Sequence, residues 1–366
     1  MTEKKYHAAL ISLGSVSSKM TAKAMRKHFK KVDELQIKEI EIVLGQENPV
    51  LYQGKTIANY DCIFVKGSFR YAAVARSITS LLYDSAYMPT EPGSFTIVHD
   101  KILTHIRLQS RSVPMPKTYL TATPSAAKEL LKNLNYPIIT KFPQGTQGKG
   151  VMFADSFAAA SSLLDALESL KQPFLIQEYV ETSGVDIRAF VVGDVVVAAM
   201  KRKAAKGEKR SNIHAGGVAE SFEMSPSMKQ VAVNTARAIG ADICGVDILE
   251  SVKGPVVIEA NISPGLQGIT ESTGKDIAGS IAKYLFERTK EFRESGENPD
   301  AQDLLDELET GTSDKESSIK TLVGPLDFRA DRILLPKVAV SSSGIKEDDE
   351  CTVIFEDGKI EIKKGL

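Results

Sequence analysis

The stretch ICGVDILESVKGPVVIEANI, residues 243–262, decides how this chain reads. Two apolar runs, 243–250 and 255–262, are joined through Lys253 and Gly254, the pattern of an antiparallel hairpin. Asp247 interrupts the first run, and Glu259 and Asn261 interrupt the second. Residues two apart in a strand face one side, so Glu259 and Asn261 point together and strand pairing can bring Asp247 alongside. Carboxylates are costly to bury unpaired in apolar strands, and three convergent hard oxygen donors are what Mg²⁺ takes. A salt-bridged acidic pair on a solvated sheet face is the plainer alternative.

Upstream, apolar runs at 187–192 and 195–200 flank Gly193 and Asp194, a two-residue connection suited to a second hairpin with a positive-φ turn. Two successive hairpins favour an α+β unit over a parallel dinucleotide-binding unit. Strands are expected at 137–142 and 174–180, with Leu163, Leu164, Leu167 and Leu170 at helical spacing between them. Downstream, Ile277, Ile281, Tyr284 and Leu285 mark an amphipathic helix that closes the unit. The first hundred residues read as a small open α/β unit, with strands at 7–13 and 61–67 and a helix stripe of Val74, Ile78, Leu81 and Leu82.

Composition shifts after this core. Residues 291–320 hold ten acidic against three basic residues, which suggests a solvated linker around a weak helix at 301–308. Strand-like runs return at 333–336, 351–355 and 359–362, the last two joined by Asp357 and Gly358. The expected partition is an N-terminal α/β domain at 1–98, an α+β domain of two subdomains at 99–292, an acidic linker at 293–325 and a small all-β module at 326–366.

The whole chain is 366 residues with 46 Lys plus Arg against 47 Asp plus Glu. Near-zero charge removes the broad electrostatic case for nucleic acid or an anionic membrane as partner. Cys62, Cys244 and Cys351 are scattered without metal-like spacing or a disulfide pattern, and no uninterrupted apolar run is long enough to span a bilayer. A cytoplasmic protein is the expectation.

Three further stretches carry candidate chemistry. In KFPQGTQGKGV, 141–151, Lys141 ends a strand and Gly145, Gly148 and Gly150 follow it. Glycines let backbone N–H groups converge on phosphate oxygens, although a glycine-rich hairpin turn gives the same string, and no Walker A pattern is present. Gln177, Glu178, Tyr179 and Val180 close an apolar strand whose end can offer polar groups to an adenine edge and a ribose hydroxyl. The segment KRKAAKGEKR, 201–210, has six basic residues and one acid, and continues into Ser211, Asn212, His214 and glycines. A basic targeting patch is one reading of that run. An ordered loop in which Arg210, Ser211 and Asn212 clamp phosphate and carboxylate oxygens is the other. Asp186 and Arg188 alternate on the strand upstream and can face the same site.

Taken in order over residues 1–292, these motifs resemble the RimK branch of the ATP-grasp ligases. DKILTHIRLQ, DIRAFVVGD, GEKRSN with HAGG, GVDILE and EANISPGLQGI carry the likeness jointly. The resemblance implies ATP gripped between two α+β subdomains, with magnesium bridging its phosphates, two ions being expected and Mn²⁺ an allowed substitute. It implies phosphate contacts from Lys101 and Lys141 beneath a loop at 145–150, adenine contacts from Glu178 and Tyr179, and nucleotide contact from Asp186. Arg188, Arg210, Ser211 and Asn212 would serve the nucleotide phosphate and the reacting acid, and Asp247, Glu259 and Asn261 would hold the metal. The implied reaction turns an acceptor carboxylate into an acyl phosphate, which an amine then displaces to give an amide. Glutamate is the expected added amino acid and a protein C-terminus or small glutamylated cofactor the acceptor. Lysine or another amino acid, or a nucleotide-sensing regulatory module, are the alternatives, and a homo-oligomer, dimer or tetramer, is expected. Two departures stand out. Ala215 occupies the place where the family's pattern has arginine after histidine. The residues beyond 292 include LPKVAVSSSGIKEDDE, which resembles an AbrB-like swapped-hairpin module, yet 327–364 has nine acids to seven bases, a poor balance for gripping DNA.

Overall fold

The computed structural model describes residues 5–143, 150–169, 173–203 and 218–295, and four strand segments at 327–329, 332–334, 351–356 and 359–364. By packing, the chain divides into two units, Met1–Asn298 and Pro299–Leu366.

The first unit opens with β1 (His7–Ser12), α1 (Val16–Met25) and β2 (Lys31–Gln36). A small antiparallel sheet of β3 (Ile40–Ile42), β4 (Val50–Tyr52) and β5 (Lys55–Thr56) follows. Then come β6 (Cys62–Val65) and α2 (Ala72–Leu82). β2 and β6 pair in parallel on opposite sides of β1, giving the order β2-β1-β6. The chain therefore leaves β1 in one direction and returns on the other side, which makes the C-terminal ends of β1 and β6 a topological switch point, the place where open α/β sheets carry ligand crevices.

Next are α3 (Ser94–Ile97), α4 (Lys101–Ser110), β7 (Thr118–Tyr119), α5 (Pro124–Leu131), β8 (Ile138–Lys141), β9 (Val151–Ala154), α6 (Phe157–Ser169) and β10 (Leu175–Glu178). Their antiparallel sheet has the order β7-β10-β8-β9 and its own core, in which Leu131, Leu164 and Leu167 pack on Ile138 and Ile176. The last part comprises β11 (Val185–Val192), β12 (Val195–Lys203), β13 (Val218–Ser221), α7 (Pro226–Ala238), β14 (Ile243–Ser251), β15 (Gly254–Asn261), α8 (Gln267–Thr273) and α9 (Ile277–Ser295). Its five strands form an antiparallel sheet, β13-β12-β11-β14-β15.

Strand alternation gives this sheet two buried faces. Ile187, Ala189 and Val191 of β11 join Cys244, Val246 and Ile248 of β14 in one core with α7. Phe190 and Val192 join Ala198, Met200 and Ile243 in the other, with α8 and α9. The N-terminal sheet contributes Ala9 and Ile11 to the first core and Ala8, Leu10 and Phe64 to the second, so the border expected at residue 98 is not a break in packing. The closing helix α9 runs to Ser295, three residues into the expected linker. α1 and β2 were not foreseeable from periodicity: α1 buries mainly Ser, Thr and Ala, and β2 buries Val32 and Leu35, three apart, among charged neighbours.

In the second unit, Asp327–Arg329 pairs with Arg332–Leu334 and Cys351–Glu356 with Lys359–Lys364, both antiparallel. The strand Arg332–Leu334 overlaps the one expected at 333–336, of which residues 335 and 336 lie outside the described residues. The expected helix at 301–308 and the Asp357–Gly358 connection lie outside the described residues.

Gly193 turns the β11–β12 hairpin at φ 58°, and a Cβ there would sit 2.4 Å from Cε2 of Tyr284 on α9. Gly193→Val combines left-handed strain with that clash, and should cost about 1–3 kcal/mol in denaturant unfolding.

Candidate active site

The functional face of the five-stranded sheet follows from its register. Asp186 pairs across from Arg202, Arg188 from Asp247, Asp247 from Glu259 and Gly245 from Asn261. By the two-residue period these side chains share the face of Phe190 and Met200. A register shift between Asp247 and Ile248 takes Ile258 out of the ladder, so Glu259 rather than Ile258 stands opposite Asp247.

Two arginines hold the buried acids. Arg188 donates from Nε and Nη2 to Oδ1 and Oδ2 of Asp247 at 2.7 and 2.6 Å. Arg202 donates to both oxygens of Asp186 at 2.5 and 2.8 Å, and its Nη2 lies 2.9 Å from Oδ2 of Asp247. Burial alone would raise the Asp247 pKa, but Arg188 and Arg202 outweigh it and hold the carboxyl well below the usual range. Burial likewise opposes charge on Arg202, and Asp247 and Asp186 outweigh it, leaving its pKa raised. Sequence reasoning grouped Arg202 with the basic run; the signal available was its place two residues past Met200, on the face of Asp186.

Glu259 is less well compensated. Burial first, then the Asp247 charge, raises its pKa, while Lys101, Arg188 and Lys141 pull it down. Lys101, from the other subdomain, lines the same pocket as Glu259. Lys101 opens α4, where Asp100 caps the helix by accepting from Ile102 and Leu103 N–H at 2.8 and 3.1 Å. Its own N–H donates to the Pro143 carbonyl at 3.0 Å, tying α4 to the start of the glycine segment. A pocket between α4 and β15 is lined by Phe69, His99, Lys101, His105, Glu259 and Asn261, among others.

Lys141, at the end of β8, is half-buried and donates to Oε1 of Gln177 at 2.6 Å. Burial pulls its pKa down to about 8. The Gln177 amide donates in turn to Nε2 of His105 at 2.9 Å and to Oγ1 of Thr118 at 2.8 Å. His105 then carries its proton on Nδ1, which donates to the Lys101 carbonyl at 2.6 Å, and burial favours this neutral form by lowering its pKa. Gln177 and His105 are thus supports of Lys141 and Lys101, roles the strand-end reading of Gln177 did not anticipate.

Glu178 is half-exposed, 3.9 Å from Lys117 Nζ, and Tyr179 packs edge-on against Phe153. Both stand at the C-terminal end of β10, where Glu178 pairs with Ile138, while Lys141 pairs with Leu175 at the strand's other end. Asn261 accepts from the Ser263 N–H at 2.9 Å. Gly150 has φ 78° and lies against Phe142. Gly145, Gly148, Arg210, Ser211, Asn212, His214 and Ala215 lie outside the described residues. Among the described residues no three His, Cys, Asp or Glu side chains converge, so a metal would depend on two carboxylates and an amide oxygen.

Residues 98–285 match the RimK-like ATP-grasp domain. The chain belongs to the RimK-like ATP-grasp family. A protein of Shewanella loihica named "Probable alpha-L-glutamate ligase" is 41% identical over 254 residues, 68% of this chain and 83% of that one. A Vibrio atlanticus protein of the same name is 36% identical over 76% of this chain and 93% of its own. Among solved structures, the ATP-grasp ligase PsnB complexed with minimal precursor, Mg and ADP superposes with a TM-score of 0.61 at 17% identity, over 79% of this chain and 99% of that one. A RimK domain ATP-grasp protein from Sphaerobacter thermophilus gives 0.59 at 18% identity, over 76% and 98%. The fold is ATP-grasp, and membership of this RimK-like family makes the protein an ATP-dependent carboxylate–amine ligase. Among the described residues no helix is long and apolar enough to cross a membrane.

The charge arrangement has measurable consequences for stability. Arg202→Met removes the bidentate partner of Asp186 and one of the two guanidinium groups at Asp247, and should cost about 3–5 kcal/mol in denaturant unfolding. For Glu259 the sign is opposite. Its folded pKa lies above the unfolded 4.5, so the folded chain binds that proton more tightly. The resulting destabilisation is absent below the unfolded value and complete above the folded one. Glu259→Gln should therefore raise the melting temperature of metal-free protein at pH 8, with the gain vanishing at pH 4.

Proposed function

We propose that this ligase joins L-glutamate to a carboxylate acceptor through an acyl phosphate, the acceptor being a protein C-terminus or a small glutamylated cofactor. The names of the relatives support glutamate. The single observation that carries the site is that Lys101 and His105 of α4 line one pocket with Glu259 and Asn261 of β15, and Glu259 stands opposite Asp247.

The donor set suits Mg²⁺. All three candidate atoms are oxygens, and Glu259 is a half-buried acid whose raised pKa a cation at its carboxylate would reverse. Asp247, Glu259 and Asn261 would hold the ion, with room left open for a second or for Mn²⁺; when bound, it neutralises charge on the phosphates. Lys101 and Lys141 then face the nucleotide phosphates, with Gly145, Gly148 and Gly150 above them. Glu178 and Tyr179 meet the adenine, and Asp186 fixes Arg202 and contacts the nucleotide. Arg188 is anchored by Asp247 and offsets repulsion between the acceptor carboxylate and the phosphate, while Arg210, Ser211 and Asn212 clamp the reacting groups. No side-chain nucleophile is needed, because positioning and charge neutralisation carry both steps. The working location proposed is the cytoplasm. The proposed division sets the glutamate-adding core at 1–292, followed by the acidic linker and the β module at 326–366, whose role would be homo-oligomerisation or acceptor docking.

The test is mass spectrometry of cell extract incubated with the protein, ATP, Mg²⁺ and isotopically labelled glutamate, with ADP release followed in parallel. The expected result is one acceptor, protein or small molecule, heavier by whole glutamyl residues, and ADP release that requires glutamate. Lys141→Met should reduce that rate roughly a hundredfold. ADP release indifferent to glutamate, with label in no product, would overturn the assignment.

A further inference from the structure

Neither the nucleotide groups nor the metal donors account for Lys66. It follows β6 directly, is only 6 % exposed, and among the described residues has no ion-pair partner. Its ammonium lies 5.6 Å from the centroid of the Phe64 ring, and burial alone draws its pKa down to about 8. An ammonium is expensive to bury without a counter-charge, so a lysine left this way in a folded site points to an anion that arrives later.

The surroundings say where that anion would sit. Lys66 N–H donates to the Ile11 carbonyl at 2.8 Å, which places the residue at the C-terminal mouth of β1 and β6, the switch point of the sheet. Two-residue alternation sets it on the face of Phe64, beside Leu10 and Ser12. That face shares a core with Phe190 and Met200, the same face of the large sheet that carries Arg188 and Asp247. Ser12 and Ser17 are buried there, and Ser15 caps the N-terminus of the ten-residue helix α1. Two hydrogen bonds stitch the mouth to the loop after Asn261: Gly67 N–H donates to Ser263 Oγ at 3.1 Å and Leu266 N–H to Ser17 Oγ at 2.9 Å. Ser263 in turn donates its N–H to Asn261, one of the candidate metal donors.

We propose that this crevice binds a carboxylate of one of the two ligase substrates, with the Lys66 ammonium as its counter-ion and the serine hydroxyls and α1 N–H groups as donors. The inference rests on the ligase reading and adds to it the place where the N-terminal domain recognises substrate. A lone ammonium over an aromatic floor matches a singly charged, planar group. The nucleotide's phosphates are addressed instead by Lys101 and Lys141. The carboxylate belongs either to the incoming amino acid or to the acceptor.

Equilibrium binding to the full chain, in Mg²⁺ and a non-hydrolysable ATP analogue, separates these sources. L-Glutamate probes the incoming amino acid and triglutamate the acceptor, each against the unaltered protein, Lys66→Met and Lys66→Arg. Lys66→Met should weaken one probe roughly ten- to hundredfold and leave the ATP analogue unaffected, with Lys66→Arg restoring most of the loss. Loss confined to glutamate assigns the amino acid; loss confined to triglutamate assigns the acceptor. Lys66→Met should also melt no lower than the unaltered chain, since it removes an unpaired buried charge and fills the same space. The proposal is overturned if folded Lys66→Met binds both probes unchanged, or if the unaltered chain binds neither. Glutamate-dependent ADP release by the unaltered chain, with the same KM in Lys66→Met, would remove the crevice and leave the ligase standing. Loss of glutamate binding in Lys66→Met beside an unaltered chain that makes no product would do the reverse.

Discussion

Asp247 sits between two guanidinium groups, and the rest of the site depends on that arrangement. An acid at this position of β14 is tolerated because Arg188 reaches it from the adjacent β11 and Arg202 from β12, one strand further away. The pairing also fixes register. A one-residue slip of β11 would send Asp186 and Arg188 into the core built by Ile187, Ala189 and Val191, and Arg202 would lose its partner. The ladder therefore has one low-energy alignment, and that alignment sets Glu259 and Asn261 on the same face. Electrostatics and strand pairing select the same structure, which is the consistency expected of a sequence with a unique fold.

Across the cleft the positive groups are supported differently. Lys101 is placed by a helix start and a backbone bond to Pro143, and Lys141 by a side-chain relay through Gln177 and His105. Burial draws the Lys141 pKa down to about 8, and the Gln177 oxygen holds its ammonium in place. An enzyme that must bring a carboxylate and a triphosphate together needs cations positioned before the anions arrive.

Much of this was legible in the sequence where two patterns coincided. Hairpins marked by Gly193 and Gly254 fixed the large sheet, and polar residues at alternate positions of those strands named Asp186, Arg188, Asp247, Glu259 and Asn261 before any coordinates. The supporting groups were not legible. Gln177 and His105 meet although 72 residues separate them, a contact that no local periodicity reports. Arg202 was hidden by its neighbours Lys201 and Lys203, which made a strand position look like part of a charged loop. Lys66 was hidden for a different reason: a single lysine after an apolar strand ordinarily marks the strand's exit into solvent, and only the packing of α1 and the loop after Asn261 buries it. Helix α1 itself escaped because small polar residues, not a leucine stripe, line its buried face.

The same alternation that builds the cores also decides how much charge the sheet can carry. An apolar set of similar volume at 186, 188, 202 and 247 would fold at least as well, because desolvating ions consumes most of what their attraction returns. The ions are affordable here only because the strands bearing them are anchored at both faces by large shared cores, from Ile187 and Val246 on one side to Phe190 and Met200 on the other. Those cores include residues of the N-terminal sheet, so that sheet is part of what lets the large sheet hold charge. Removing it would expose Phe190 and Met200 and open the crevice at Lys66 together. The N-terminal sheet thus serves the chemistry twice, by completing the apolar support of the charged strands and by bringing its own buried cation to their edge.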